Sequence, residues 1–234
     1  MKRPHAILIL SGLFPLLVVP LAYLVNLLEG GSLVSDSGCQ SLLDGCVSIS
    51  RAVRSGPGLH IFRAVMLPCA VLTFFSWALL REWLHCLDAC SQRRAVVIFW
   101  LGATGALFLV LYATWLGTEG EWYRWLRRYG VTVYFGGTAL AQLLTAAVLW
   151  PQRDALAGGR LRRGITVFTG LVAAQWLLGV LSVIKRLVVD DPYLVDRIEN
   201  TIEWAFGFCM AGAFLVLAWL LRRTRFSVSY RLGR

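Results

Sequence analysis

Glu199 and Glu203 stand four residues apart, a spacing that stacks both carboxylates on one face of a helix. His60 and Arg63 share a face in the same way at three-residue spacing. A carboxylate accepts hydrogen bonds from hydroxyls or positions a reacting group, while a guanidinium forks onto phosphate or carboxylate. Ser48 and Ser50 add hydroxyls on the segment before His60, and Glu121 adds a third acid. Ser48, Ser50, His60, Arg63, Glu121, Glu199 and Glu203 are therefore the candidates for receiving a polar headgroup. Glu119, Lys185 and Arg186 fall in the same zone of the chain's layout.

Glu203 lies just inside an apolar run, where a carboxylate facing lipid is costly. Two readings of Arg63 and Glu203 stay open. They form an interhelical ion pair, or they line a pocket in which Arg63 meets phosphate and Glu203 accepts from hydroxyls; a paired charge can also line a cavity. If the candidates form one site, Arg63 must approach Glu203, with Ser48–Ser50 folded over both. Gln142 and Gln175 fall within apolar runs, where their amides need partners.

The chain has no G-x-S-x-G, H-E-x-x-H or G-x-x-x-x-G-K-[ST], and its three histidines, His5, His60 and His85, sit on three segments. No metal site and no cofactor is expected. Cys86 and Cys90, at helical spacing, read as free thiols or a lipidation target. Cys39 and Cys46 share a Gly/Ser-rich segment on the side expected to be oxidising, where a small disulfide between them and two free thiols are both open readings.

The elements that must carry these residues are six apolar runs at about 6–28, 61–80, 95–117, 130–150, 164–184 and 202–221. Each is near the ~20 residues that a bilayer-crossing helix needs. Composition agrees, with 58% hydrophobic and 15% charged residues and a mean hydropathy of +0.66. A soluble domain of this size would seldom bury so much apolar surface. The chain is expected to be one all-α integral membrane domain over 1–234: a six-helix bundle with a long first external loop from Glu29 to His60. Lys2 and Arg3 precede the first run, which is too long for a secretory leader and is expected to remain as a spanning helix.

Charge sets the orientation. With both termini in the cytosol, 14 of the 23 Lys and Arg lie on the cytosolic side, including those of the tail over 222–234. Ten of the 13 acids then lie outside. Retained Lys and Arg determine topology, whereas acids count for little. The net charge of +10 is thereby explained without nucleic acid, and the tail reads as solvated or facing anionic lipid.

Three motifs carry a resemblance to a known family. Cys46-Val47-Ser48-Ile49-Ser50-Arg51-Ala52, followed by Gly56-Pro57 and Ile61-Phe62-Arg63, is similar to the P-S-I-S-x-A…G…P…F/W-R signature of the FRAG/DRAM/SFK family. Gly120-Glu121-Trp122-Tyr123 resembles that family's E-x-Y/F segment, and Glu203-Trp204 its E-W pair. The resemblance implies six helices with cytosolic ends and a lipid theme, since the family includes proteins remodelling GPI-anchor lipids, Cwh-type N-terminal regions and autophagy modulators. Val47 replaces the usual proline, and the histidines common after the E-x-Y segment and after the arginine of the second helix are absent.

The expected function is binding, and on the family's pattern remodelling, of a membrane phospholipid or glycolipid at the outer-leaflet mouth. The sequence does not decide whether bonds are made and broken. A non-enzymatic scaffold with a membrane-protein partner is the alternative, and a small-molecule transporter the third. Arg outnumbers Lys 21 to 2, which suggests a bacterial inner membrane. In a eukaryote the expected site is a secretory-pathway, lysosomal or plasma membrane.

Overall fold

The computed structural model describes residues 4–29, 44–154 and 159–227, all helix and connection. Cys39 and the last residues of the basic tail lie outside them. The helices are α1 (His5–Leu28), α2 (Ile49–Ala52), α3 (Gly56–Cys86), α4 (Gln92–Trp115), α5 (Glu121–Gln152), α6 (Gly159–Val188) and α7 (Pro192–Arg223). Among the described residues six of these, all but the one-turn α2, are long and apolar enough to cross a membrane, as a multi-pass membrane protein requires.

Helices form here because lipid offers no partner for backbone N–H and C=O groups, so each spanning segment must satisfy its own. Their ends correct the sequence reading. α3 begins at Gly56 with Pro57 in its first turn, not at 61, and α5 begins at Glu121, not at 130. α7 begins at Pro192, where the Asp191 carboxylate accepts from Tyr193 N at 2.9 Å, not at 202. Hydropathy marks the stretch that lipid solvates, whereas proline and an N-cap side chain mark where the helix starts. The 32 residues of α7 reach about 48 Å, well beyond a hydrocarbon core of about 30 Å.

Short connections join α3 to α4, α4 to α5 and α6 to α7, so consecutive helices pack antiparallel. The long helices form a ring, α1–α3–α4–α5–α6–α7, closed by α7 against α1. The end that carries α2 and residues 116–120 and 189–191 is the loop end; the other is the terminal end.

Two clusters make the core. Trp77, Trp83, Phe214 and Leu217 fill the terminal half, and Phe62, Tyr112, Trp204 and Val53 fill the loop half. Small residues let backbones approach where the helices cross tightly. A Cβ on Gly102 would lie 2.2 Å from the Trp77 ring, and one on Gly12 2.7 Å from the Ala211 carbonyl oxygen. Gly170 and Gly179 of α6 have nothing within 4 Å, because α6 packs lightly on one side.

Candidate functional site

Residues 44–55 close the loop end, and α7 holds them there. The Trp204 indole N–H donates to Val47 O at 2.9 Å, Asn200 Nδ2 to Gly45 O at 2.8 Å and Arg197 Nε to Asp44 O at 2.6 Å. These α7 residues recur at three- and four-residue spacing, which makes one gripping face. Gly45 has φ +67°, and a Cβ there would meet Arg197 O at 2.0 Å, so the close approach needs glycine. From α1, Asn26 donates to Ala52 O and accepts from Gly58 N, both at 2.9 Å, tying α2 to the start of α3.

Ser48 caps α2: its hydroxyl accepts from Arg51 N at 3.2 Å and contacts the Ser50 hydroxyl at 3.2 Å. The backbone N–H of Ser50 donates to Glu203 Oε1 at 3.3 Å. Arg51 pairs with Asp196 at 3.5 Å, and both Arg51 and Arg54 lie within electrostatic reach of Glu203. The Ser48–Ser50 segment thus folds over Glu203. Cys46, just before it, is disulfide-bonded, while Cys39 lies outside the described residues.

Arg63 does not join them. Its guanidinium donates to Leu116 O at 2.5 Å and sits 3.5 Å from the Thr118 hydroxyl, so it holds the end of α4. The expected Arg63–Glu203 ion pair is corrected: α1 packs against both α3 and α7. Those two helices meet toward the terminal end, where Trp77 packs on Phe214 at 5.4 Å and the Trp83 indole donates to Thr224 Oγ1 at 2.9 Å. His60 is exposed on α3, and Glu121 is exposed in the first turn of α5.

Glu199 faces α6. The Ser182 hydroxyl donates to both of its oxygens, at 3.0 and 2.8 Å, and the buried Lys185 ammonium forms an ion pair with it. Sequence reasoning placed Lys185 in this zone but missed Ser182 and the pairing. The signal was Ser182 and Lys185 at three-residue spacing, facing Glu199 across the short 189–191 turn.

Between α5, α6 and α7 these groups open into a groove of about 440 Å³. Glu199, Ser182 and Glu203 form its polar end, and Phe135, Ile202 and Phe206 its apolar walls. It stays open because Gly179 puts no side chain into it. A second, smaller cavity of about 50 Å³ lies inside the ring, with Tyr112, Tyr134 and Trp204 among its walls. No protein family, curated protein or solved structure matches the chain, so the family resemblance rests on its three motifs alone.

Proposed function

We propose that the protein binds a lipid of the outer leaflet in the groove between α5, α6 and α7. The excess of Lys and Arg at the terminal end supports a cytosolic position for both termini and an external position for the loop end. One observation carries the reading: the groove joins two carboxylates and a hydroxyl at one end to aromatic and aliphatic walls along its length. That is the amphipathic profile of a lipid. Headgroup hydroxyls would donate to Glu203 and Glu199, as charge-assisted hydrogen bonds, while acyl chain would lie along Phe135 and Phe206.

Gly179→Leu provides the test. Nothing lies within 4 Å of its Cβ position and Gly179 lines the groove, so a leucine there projects into the groove and also favours the helix. Native mass spectrometry after lipid exchange should show lipid lost from the variant, with thermal stability kept or raised. Wild-type lipid retention by Gly179→Leu would overturn the proposal.

A further inference from the structure

Arg63 and Arg127 hold the connection between α4 and α5 from two helices, and the Arg54 backbone lies against it while the Arg54 guanidinium sits 3.5 Å from the Ser50 hydroxyl. Arg63 holds Leu116 O and lies beside the Thr118 hydroxyl, and Arg127 donates to Thr118 O at 3.4 Å. The Arg54 backbone lies over Gly117, which has φ +83° and whose Cβ would come within 2.4 Å of Arg54 O. Arg127 feels the charges of Arg54 and of Arg124, one turn earlier on α5.

Like charges brought together repel one another, and an anion placed among them relieves that repulsion. Five described arginines have an acidic partner within 4.0 Å: Arg51 with Asp196, Arg81 with Glu82, Arg153 and Arg162 with Asp154, and Arg197 with Asp44. Among the described residues Arg54, Arg63, Arg124 and Arg127 have none within 4.0 Å. Glu119 and Glu121, although on the same stretch of chain, do not neutralise them. Arg63 also keeps a buried Nε without a hydrogen-bond partner. Arg54 remains exposed and Arg127 half-buried, so an incoming anion can reach both.

We propose that Arg54 and Arg127 hold a phosphate group between them over the Leu116–Gly120 connection, in a cleft that the bound phosphate would complete, with Arg63 fixing the connection from below. Phosphate suits the cleft because guanidinium forks meet its oxygens in pairs. The group belongs either to a lipid headgroup or to a soluble phosphate ester. The Arg54 guanidinium sits 3.5 Å from the Ser50 hydroxyl, and Ser50 N donates to Glu203 at 3.3 Å, so a headgroup seated at the polar end of the groove is near Arg54. Only the lipid source depends on the groove reading; the phosphate does not.

The test uses the full-length protein in neutral detergent with three probes. Phosphatidylglycerol carries phosphate and hydroxyls, diglucosyldiacylglycerol carries hydroxyls alone, and glycerol 3-phosphate carries no acyl chain. Lipid retention is read by native mass spectrometry and glycerol 3-phosphate binding by calorimetry. Arg54→Gln/Arg127→Gln should lower phosphatidylglycerol retention roughly tenfold and leave the glycolipid unchanged. If the double variant does not fold, Arg54→Gln alone, at an exposed side chain, should still give a measurable loss. Arginine-dependent binding of glycerol 3-phosphate without a phosphatidylglycerol preference assigns the cleft to soluble phosphate. Gly179→Leu should remove both lipids and spare glycerol 3-phosphate. If wild type retains neither lipid, the groove reading falls while the calorimetry still decides the cleft. Equal retention of phosphatidylglycerol by wild type and Arg variants, with no arginine-dependent binding of glycerol 3-phosphate, overturns the phosphate site.

Discussion

Asn26 shows how much one side chain at the loop end does. Its amide joins three segments, through Ala52 O and Gly58 N, in a buried setting. Asn26→Ala leaves both backbone groups without that partner and should cost about 1–3 kcal/mol. A lowered midpoint in denaturant unfolding from detergent checks this; an unchanged midpoint would mean that water replaces the amide. Nothing in the sequence singled out Asn26, because a lone asparagine near a helix end is ordinary. Ser48 and Ser50 were legible through their motif; the segment lies over Glu203, but not over the Arg63–Glu203 pair that was expected beneath it. Cys90, in the short connection after α3, gives a pH-dependent readout. Burial pushes its thiol above the usual range, partly offset by the Arg94 charge. A raised pKa means less thiolate at neutral pH. Alkylation of Cys90, followed by mass spectrometry, should therefore lag a small-molecule thiol near pH 8 and catch up only as pH rises past the ordinary thiol pKa.

At the scale of elements, Gln142 and Gln175 link three helices. Gln175 Nε2 donates to Gln142 Oε1 at 2.9 Å, and Gln142 Nε2 donates to Met210 O at 3.0 Å. Gln142→Leu removes both bonds and Gln175→Leu only one, so Gln142→Leu should destabilise more, each by about 0.5–2 kcal/mol. The double variant should cost less than the sum, which a double-mutant cycle of unfolding midpoints measures. Strict additivity would show that the two amides act separately. The need for partners was legible; their identity was not, since it depends on which helices the ring makes adjacent. The small-residue patterns divide in the same way. Gly102→Ala must push Trp77 aside and should cost about 1–3 kcal/mol, whereas Gly170→Ala meets open space and should be neutral or stabilising. Both glycines stand four residues before an alanine, Ala106 and Ala174, and only the neighbour distinguishes them.

For the whole molecule, the proposed topology makes a prediction on both sides of the membrane. Exposed Cys86 at the terminal end should react with an impermeant maleimide only in inside-out vesicles. A His60→Cys variant at the loop end should react only in right-side-out vesicles, and labelling of both from one side would end the topology. Six membrane-length apolar helices could be read from the chain, because transfer from water to lipid depends on composition and run length rather than on neighbours. The charge asymmetry that argues for orientation is likewise a property of residue type and position along the chain. Ring order is different in kind. Arg63 and Glu203 each stand near the start of an apolar run in the sequence, yet α1 packs against both of their helices, and Arg63 instead holds α4 while Glu203 receives Ser50. Depth follows from hydropathy, but adjacency follows from which faces pack most closely, and that is settled among all the helices at once. The approach of Arg54, Arg63 and Arg127 to one connection arises only from that packing, whereas the Ser182–Lys185–Glu199 contact follows from the short turn that makes α6 and α7 neighbours.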